Sequence, residues 1–177
     1  MQYVTRGQWG AKPPKSRLPI DRCDVTHFVL HHAAATYPDG ETAMRRIQSF
    51  HQDTRGWWDY AYNFGVAEDG TIYEGRGFDA VGGHTKGWNS RAVAVCYMGD
   101  GRRVVPLAAR RAIMQVADAA DEHFGRALTR VAHRDLGSTS CPGVVLYRWW
   151  NGGSPKPEVP NVRDGWRRHL DWLRRRR

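Results

Sequence analysis

The sequence predicts an α/β fold, a central mixed β-sheet flanked by helices on both faces. Three observations carry that expectation. Short apolar runs of strand character alternate with segments of helical period, as in sheets whose strands are joined by crossover helices. Two of the runs meet at the tight turn Asp69-Gly70, which adds one antiparallel hairpin. A run near the middle, 92–98, is apolar on both faces, as a central strand must be.

Taken in order, residues 4–11 lead into a Pro/Lys-rich connector over 12–19 with no sustained periodicity, so an ordered arm anchored by Trp9 is expected. Residues 25–31 read as a buried strand, and 33–40 as a loop with a Pro38-Asp39-Gly40 turn. Helical spacing runs from 41 to 55, with Met44, Ile47 and His51 on one side and Gly56 as the stop. On that helix His51 reads as a hydrogen-bonded core histidine. Residues 60–66 alternate as a strand, and 71–74 complete the hairpin. The stretch 80–90 is glycine-rich and irregular. The longest helix is expected over 106–124, with Ala109, Ile113, Val116, Ala120 and Phe124 as its apolar stripe and Gly125 ending it. A short strand over 128–133 delivers His133 to its end. Beyond a short apolar piece with Trp149 and Trp150, residues 151–161 read as a linker and 164–177 as a basic amphipathic helix. The expected division is therefore a domain over 1–150 and a linker plus terminal helix over 151–177.

A chain of 177 residues suits one domain with a normal core. No apolar run approaches the ~20 residues that span a bilayer, and the first residues carry no apolar signal segment. Synthesis in a cytoplasm without an ordinary export signal is the expectation. Three cysteines, Cys23, Cys96 and Cys141, are too few for a disulfide framework; Cys23 and Cys96 read as small buried hydrophobes. With 27 basic and 18 acidic residues the net charge is +9, which favours an anionic partner such as nucleic acid, a membrane surface or a wall polymer. No nucleic-acid recognition motif accompanies the charge, so nucleic acid is not expected.

The chemistry concentrates in the stretch from His133-Arg134-Asp135 to Cys141-Pro142-Gly143. An imidazole and a thiol eight positions apart, joined by small polar residues, suit Zn²⁺. A third ligand is needed, and the run Phe28-Val29-Leu30-His31-His32 offers it. Side chains alternate along a strand, so only one of His31 and His32 can face the site. Three protein ligands leave a fourth position open, the pattern of a catalytic zinc. The competing reading of the pair alone is a structural histidine and a buried cysteine.

These residues belong to a longer series: Arg6-Gly7-Gln8-Trp9-Gly10-Ala11, His31-His32, Tyr62-Asn63-Phe64, residues 69–76, residues 83–90, and the His133 to Gly143 stretch. In that order they resemble the zinc-dependent N-acetylmuramoyl-L-alanine amidases, which include phage lysozyme-like amidases and peptidoglycan recognition proteins. The resemblance covers about 5–150. It implies the recognition-protein-like amidase fold, with His31, His133 and Cys141 as zinc ligands and His32 pointing away. It also implies Tyr62 near the zinc-bound water, Thr139 contacting the reacting carbonyl, and His84 and Asn89 in a loop bordering the substrate groove. The implied reaction is hydrolysis of the amide between N-acetylmuramic acid and L-alanine of the stem peptide.

Three departures bear on this expectation. Position 139 is Thr rather than the Lys of some phage relatives. Cys96 stands where some amidases of the broader family place a glutamate base, which leaves the base unassigned. The paired cysteines that form a disulfide after His32 in many animal recognition proteins are absent. The last points to a phage or bacterial lytic enzyme, expected as a monomer that acts on the wall after release. The arginine run 174–177 reads either as a solvated helix end or as part of a basic amphipathic helix that holds the enzyme on an anionic envelope. Two other readings compete: a cysteine peptidase with Cys141 as nucleophile and His133 as base, which leaves His31 idle, and a peptidoglycan-binding module without activity.

Overall fold

The structure, a computed structural model, describes residues 1–153. Five strands form one sheet in the order β3-β2-β4-β1-β5. They are β1 (His27–His32), β2 (Phe64–Val66), β3 (Ile72–Glu74), β4 (Ala92–Tyr97) and β5 (Thr129–Ala132). Strands β1, β2, β4 and β5 run parallel, and β2–β3 is the antiparallel hairpin, so the sheet is mixed. As its apolar faces require, β4 is central and wholly buried.

The strand alternation divides the core. Phe28 and Leu30 of β1 and Val93, Val95 and Tyr97 of β4 pack against α2 (Leu107–Phe124) and α4 (Val144–Gly153). The α2 stripe Ala109, Ala112, Ile113, Val116, Ala117, Ala120 and Phe124 is buried, and Gly125, left-handed at φ 66°, closes the helix. The opposite side holds α1 (Gly40–Ser49), whose Ala43, Met44 and Ile47 pack with Trp9, Tyr60, Tyr73 and Met98. Helices thus cover both faces.

The amino-terminal arm is ordered as expected. Trp9 is fully buried and its Nε1 donates to the Glu74 carbonyl at 2.8 Å. Val4 bridges to Tyr73, covering the open edge of β3.

Several boundaries differ from the expectation. The helix expected over 41–55 begins at Gly40 behind Asp39, whose carboxylate accepts from Thr42 N at 2.6 Å, and over Phe50–Thr54 it widens into a π-helical turn. The strand expected over 60–66 forms only from Phe64. At Asn63 the side chain takes over: Oδ1 accepts from Ala94 N at 2.8 Å, while Nδ2 donates to the carbonyls of Gly77 and Ala80. His133 does not end a strand but opens the four-residue helix α3 (His133–Leu136). Residues 151–153 are helical rather than linker. The terminal helix expected over 164–177 lies outside the described residues. Cys23 is exposed, contrary to expectation, because the 21–24 turn lies at the surface; Cys96 is buried.

Candidate metal centre

Two parallel neighbours set the first half of the site. Strand β1 pairs with β5 in a register that ends at Leu30↔Ala132, so His31, the next residue of β1, lies beside His133, the first residue after β5. Residues side by side on parallel strands point to the same face about 4.8 Å apart. The two imidazole centroids are 4.5 Å apart. His31 is buried and His133 half-buried.

The second half is Cys141, carried by the loop between α3 and α4. Its Sγ lies 3.7 Å from His31 Nδ1 and accepts from the His32 backbone N–H at 3.4 Å. The loop is seated by a close approach of two glycines. A Cβ on Gly101 would stand 1.9 Å from the Pro142 carbonyl oxygen, and one on Gly143 2.4 Å from the Gly101 carbonyl carbon. Gly143 is also left-handed, at φ 88°. The Gly101 carbonyl accepts from Val145 N and Leu146 N, which opens α4 beside the loop. His32 points away from the site, as expected. Its Nδ1 accepts from Gly101 N at 3.0 Å, fastening the turn on which the Cys141 loop rests.

One ligand atom each from His31, His133 and Cys141 lies within 4.8 Å of the other two. Tetrahedral zinc bonds of about 2.05 Å to nitrogen and 2.3 Å to sulfur put those two atoms ~3.6 Å apart, close to the separation of His31 Nδ1 and Cys141 Sγ. The donor set fits zinc. Both histidines sit below the usual imidazole range, His31 well below it through burial and the charges of His84, His133 and His32, and His133 through burial. They are neutral, ready donors near pH 7. Burial pushes the Cys141 thiol up to about 11, so a metal must displace its proton, a step the His32 N–H favours.

The remaining expected residues surround this triad unequally. The Tyr62 ring centroid is 5.0 Å from that of His31. Burial and the nearby Cys96 and Cys141 sulfurs hold its hydroxyl well above the usual phenol range, so it stays a proton donor. Thr139 is exposed, and its Oγ1 accepts from Cys141 N at 3.2 Å, which shapes the ligand loop. His84 is buried. Asn89 is half-buried, and its Oδ1 accepts from His84 N and Thr85 N, each at 2.8 Å. Both order the loop beside the triad. Thr85, which sequence reasoning passed over, stands closer than either: its Oγ1 is 3.3 Å from His31 Nε2. The only signal for it is its place between His84 and Asn89. Cys96 pairs with His31 in register and so shares its face of the sheet, beside Tyr62. His51 is the core histidine expected; its Nδ1 accepts from Ala61 N at 3.1 Å.

The chain and its fold have counterparts among known proteins. The chain is 34% identical to peptidoglycan-recognition protein LB of Drosophila melanogaster over 160 residues, 82% of this chain and 66% of that one. It is 36% identical to human N-acetylmuramoyl-L-alanine amidase over 154 residues, 80% of this chain and 26% of that protein. A solved structure of a mutant Drosophila PGRP-LB in complex with tracheal cytotoxin superposes with TM-score 0.77 at 31% identity, covering 82% of this chain and 90% of that one. The family profile described as N-acetylmuramoyl-L-alanine amidase matches residues 21–144, a span that opens before β1 and closes just past Cys141, enclosing the whole triad. With fold and sequence in agreement, this chain belongs to the N-acetylmuramoyl-L-alanine amidase family.

Proposed function

We propose that the chain is a zinc-dependent amidase that cleaves between the lactyl group of N-acetylmuramic acid and L-alanine of the peptidoglycan stem peptide. The observation that carries the reading is the convergence of the His31, His133 and Cys141 ligand atoms at a spacing that suits one tetrahedral ion. A relative that holds tracheal cytotoxin supports peptidoglycan as the partner.

When bound, zinc lowers the pKa of a coordinated water to about 7 and polarises the scissile carbonyl. The chain's own residues do the rest. His31, His133 and Cys141 would hold the ion through two neutral imidazoles and a thiolate, and the His32 N–H steadies that sulfur. The Tyr62 hydroxyl, protonated at all working pH values, donates a hydrogen bond to the oxygen that gains charge as the amide is attacked. The Thr139 hydroxyl accepts from Cys141 N and keeps its own proton free to point to the same carbonyl.

The cysteine peptidase reading fares worse on chemistry. A nucleophilic cysteine needs a lowered pKa, whereas burial pushes the Cys141 thiol upward. The arginine-rich stretch 174–177 supports a further part of the proposal, that the enzyme rests on an anionic envelope once released to the wall.

Elemental analysis of protein purified without added metal, combined with mass spectrometry of a muropeptide digest, tests the proposal. One zinc per chain and release of stem peptides with a free L-alanine amine are expected, and Cys141→Ser loses both. A Cys141→Ser protein that keeps its zinc, or a digest cut elsewhere, would overturn it.

A further inference from the structure

The two histidines of the triad are held differently. Among the described residues the His133 ring makes no hydrogen bond, whereas His31 Nε2 faces Thr85 Oγ1. A neutral imidazole carries one proton, and only the nitrogen without it can bind a metal. Which nitrogen His31 offers therefore depends on what Thr85 does with its own hydroxyl.

The hydrogen bonds beyond Thr85 decide that. Thr85 Oγ1 is 2.9 Å from His84 Nδ1, and His84 Nε2 is 3.4 Å from the Ala92 carbonyl oxygen. A carbonyl oxygen only accepts, so His84 carries its proton on Nε2, which leaves Nδ1 as an acceptor. The single Thr85 proton goes to that Nδ1. Toward His31 the Thr85 oxygen then presents only lone pairs, and His31 must donate from Nε2. Its Nδ1, 3.7 Å from Cys141 Sγ, is left bare. The chain runs one way, from His31 through Thr85 and His84 to a backbone oxygen of β4. All three side chains are buried, and the Asn89 amide oxygen pins the backbone N–H groups of both loop members.

We propose that Thr85 is a positioning residue that, backed by His84 and held by Asn89, keeps His31 in its Nε2–H tautomer and aims Nδ1 at the metal. The metal consequence rests on the zinc reading above; the tautomer itself does not. Outer partners of this type are worth about 10- to 100-fold in metal affinity.

The test begins on zinc-free protein. Long-range ¹H–¹⁵N correlation spectra should show His31 with its proton on Nε2, and a proton on Nδ1 would overturn the proposal with no variant needed. Thr85→Val, nearly isosteric, should mix the two tautomers and weaken zinc binding by about 10- to 100-fold in chelator competition. It should also alter the visible spectrum of the cobalt-substituted protein. Thr85→Ser should restore all three. If Thr85→Val does not fold, His84→Leu serves instead: it frees the Thr85 proton to turn toward His31 and should raise the Nδ1–H fraction. A Thr85→Val protein with wild-type tautomer and affinity would sink the relay. A wild-type protein with the Nε2–H tautomer but no zinc affinity would instead sink the zinc reading and leave the relay standing.

Discussion

The candidate metal centre is assembled from two halves built on different principles. His31 and His133 are brought together by the β1–β5 register, which ends one residue before each, and β1 lies between β4 and β5 with every residue of its apolar core buried. Cys141 and Thr139 sit on a partly exposed loop seated by the close approach of Gly101 to the Pro142–Gly143 peptide and by a few hydrogen bonds, among them Arg134 N to the Cys141 carbonyl at 3.1 Å. A sheet fixes its members by many repeated hydrogen bonds, so single substitutions beside it are absorbed. A loop held by a few isolated contacts has less reserve.

The first way to break this comparison is Gly101→Ala. The new methyl cannot share space with the Pro142 carbonyl, so the Cys141 loop must move while β1 and β5 stay. Zinc affinity should fall by more than the roughly 100-fold that outer partners cost, with a stability loss of about 1–3 kcal/mol from overpacking. Chelator competition and thermal melts would measure both. Normal zinc binding in this variant would show the loop to be elastic and dissolve the contrast.

Tyr62→Phe probes the sheet-built side. The ring stays against His31 and only the hydroxyl is lost, so zinc content and melting temperature should hold. Hydrolysis should slow by about 10²–10³-fold if one transition-state hydrogen bond is removed. Steady-state rates on a soluble muropeptide decide it, and an undiminished rate would make Tyr62 a packing residue.

Acid reaches the same side through His51, which holds the chain just before Tyr62. Burial and the charges of Arg76 and Arg55 push His51 down to about 4, and its Nδ1 accepts from Ala61 N. Because the folded imidazole resists protonation, the unfolded chain binds more protons between the unperturbed 6.5 and about 4. Stability is therefore full above pH 6.5 and declines as pH falls through that window. His51 accounts for about 3 kcal/mol of the decline, from the separation of the two values. Urea denaturation of zinc-free protein at pH 7 and pH 4 should show a shallower loss in His51→Gln, whose amide oxygen can still accept from Ala61. Equal losses in both proteins would show that other buried histidines carry the effect.

The two halves also differed in how far they could be read from sequence. The alternation of β1 settles that only one of His31 and His32 faces the candidate site, and burial on both faces marks β4 as central. Both follow from local pattern. The short span of β2 did not, because Asn63 intercepts the Ala94 N–H with its side chain, a contact across 31 residues that no periodicity reports. Thr85 was missed for the same kind of reason. A threonine in a glycine-rich loop looks like any other until the fold sets it against His31, 54 positions away. Cys23 failed in the opposite sense: its β-like neighbours suggested burial, and the turn at 21–24 left it in solvent.

The smallest expected effect sharpens the loop-built side. Thr139 has two possible jobs, accepting from Cys141 N and donating to the substrate carbonyl. The first is structural, and an exposed hydrogen bond of that kind is worth about 1 kcal/mol. The second is catalytic, but water competes at an exposed hydroxyl, so its loss should fall well short of the ~10²-fold typical of a buried oxyanion donor. Thr139→Val should lower kcat by about tenfold, with Thr139→Ser near wild type. The division between the jobs appears in zinc affinity. If Thr139 acts through the loop, affinity falls in step with kcat, because Cys141 loses its support. If it acts on the substrate, affinity is unchanged and kcat alone falls. Chelator competition beside steady-state kinetics separates the two, and a Thr139→Val enzyme unchanged in both would remove Thr139 from the site altogether.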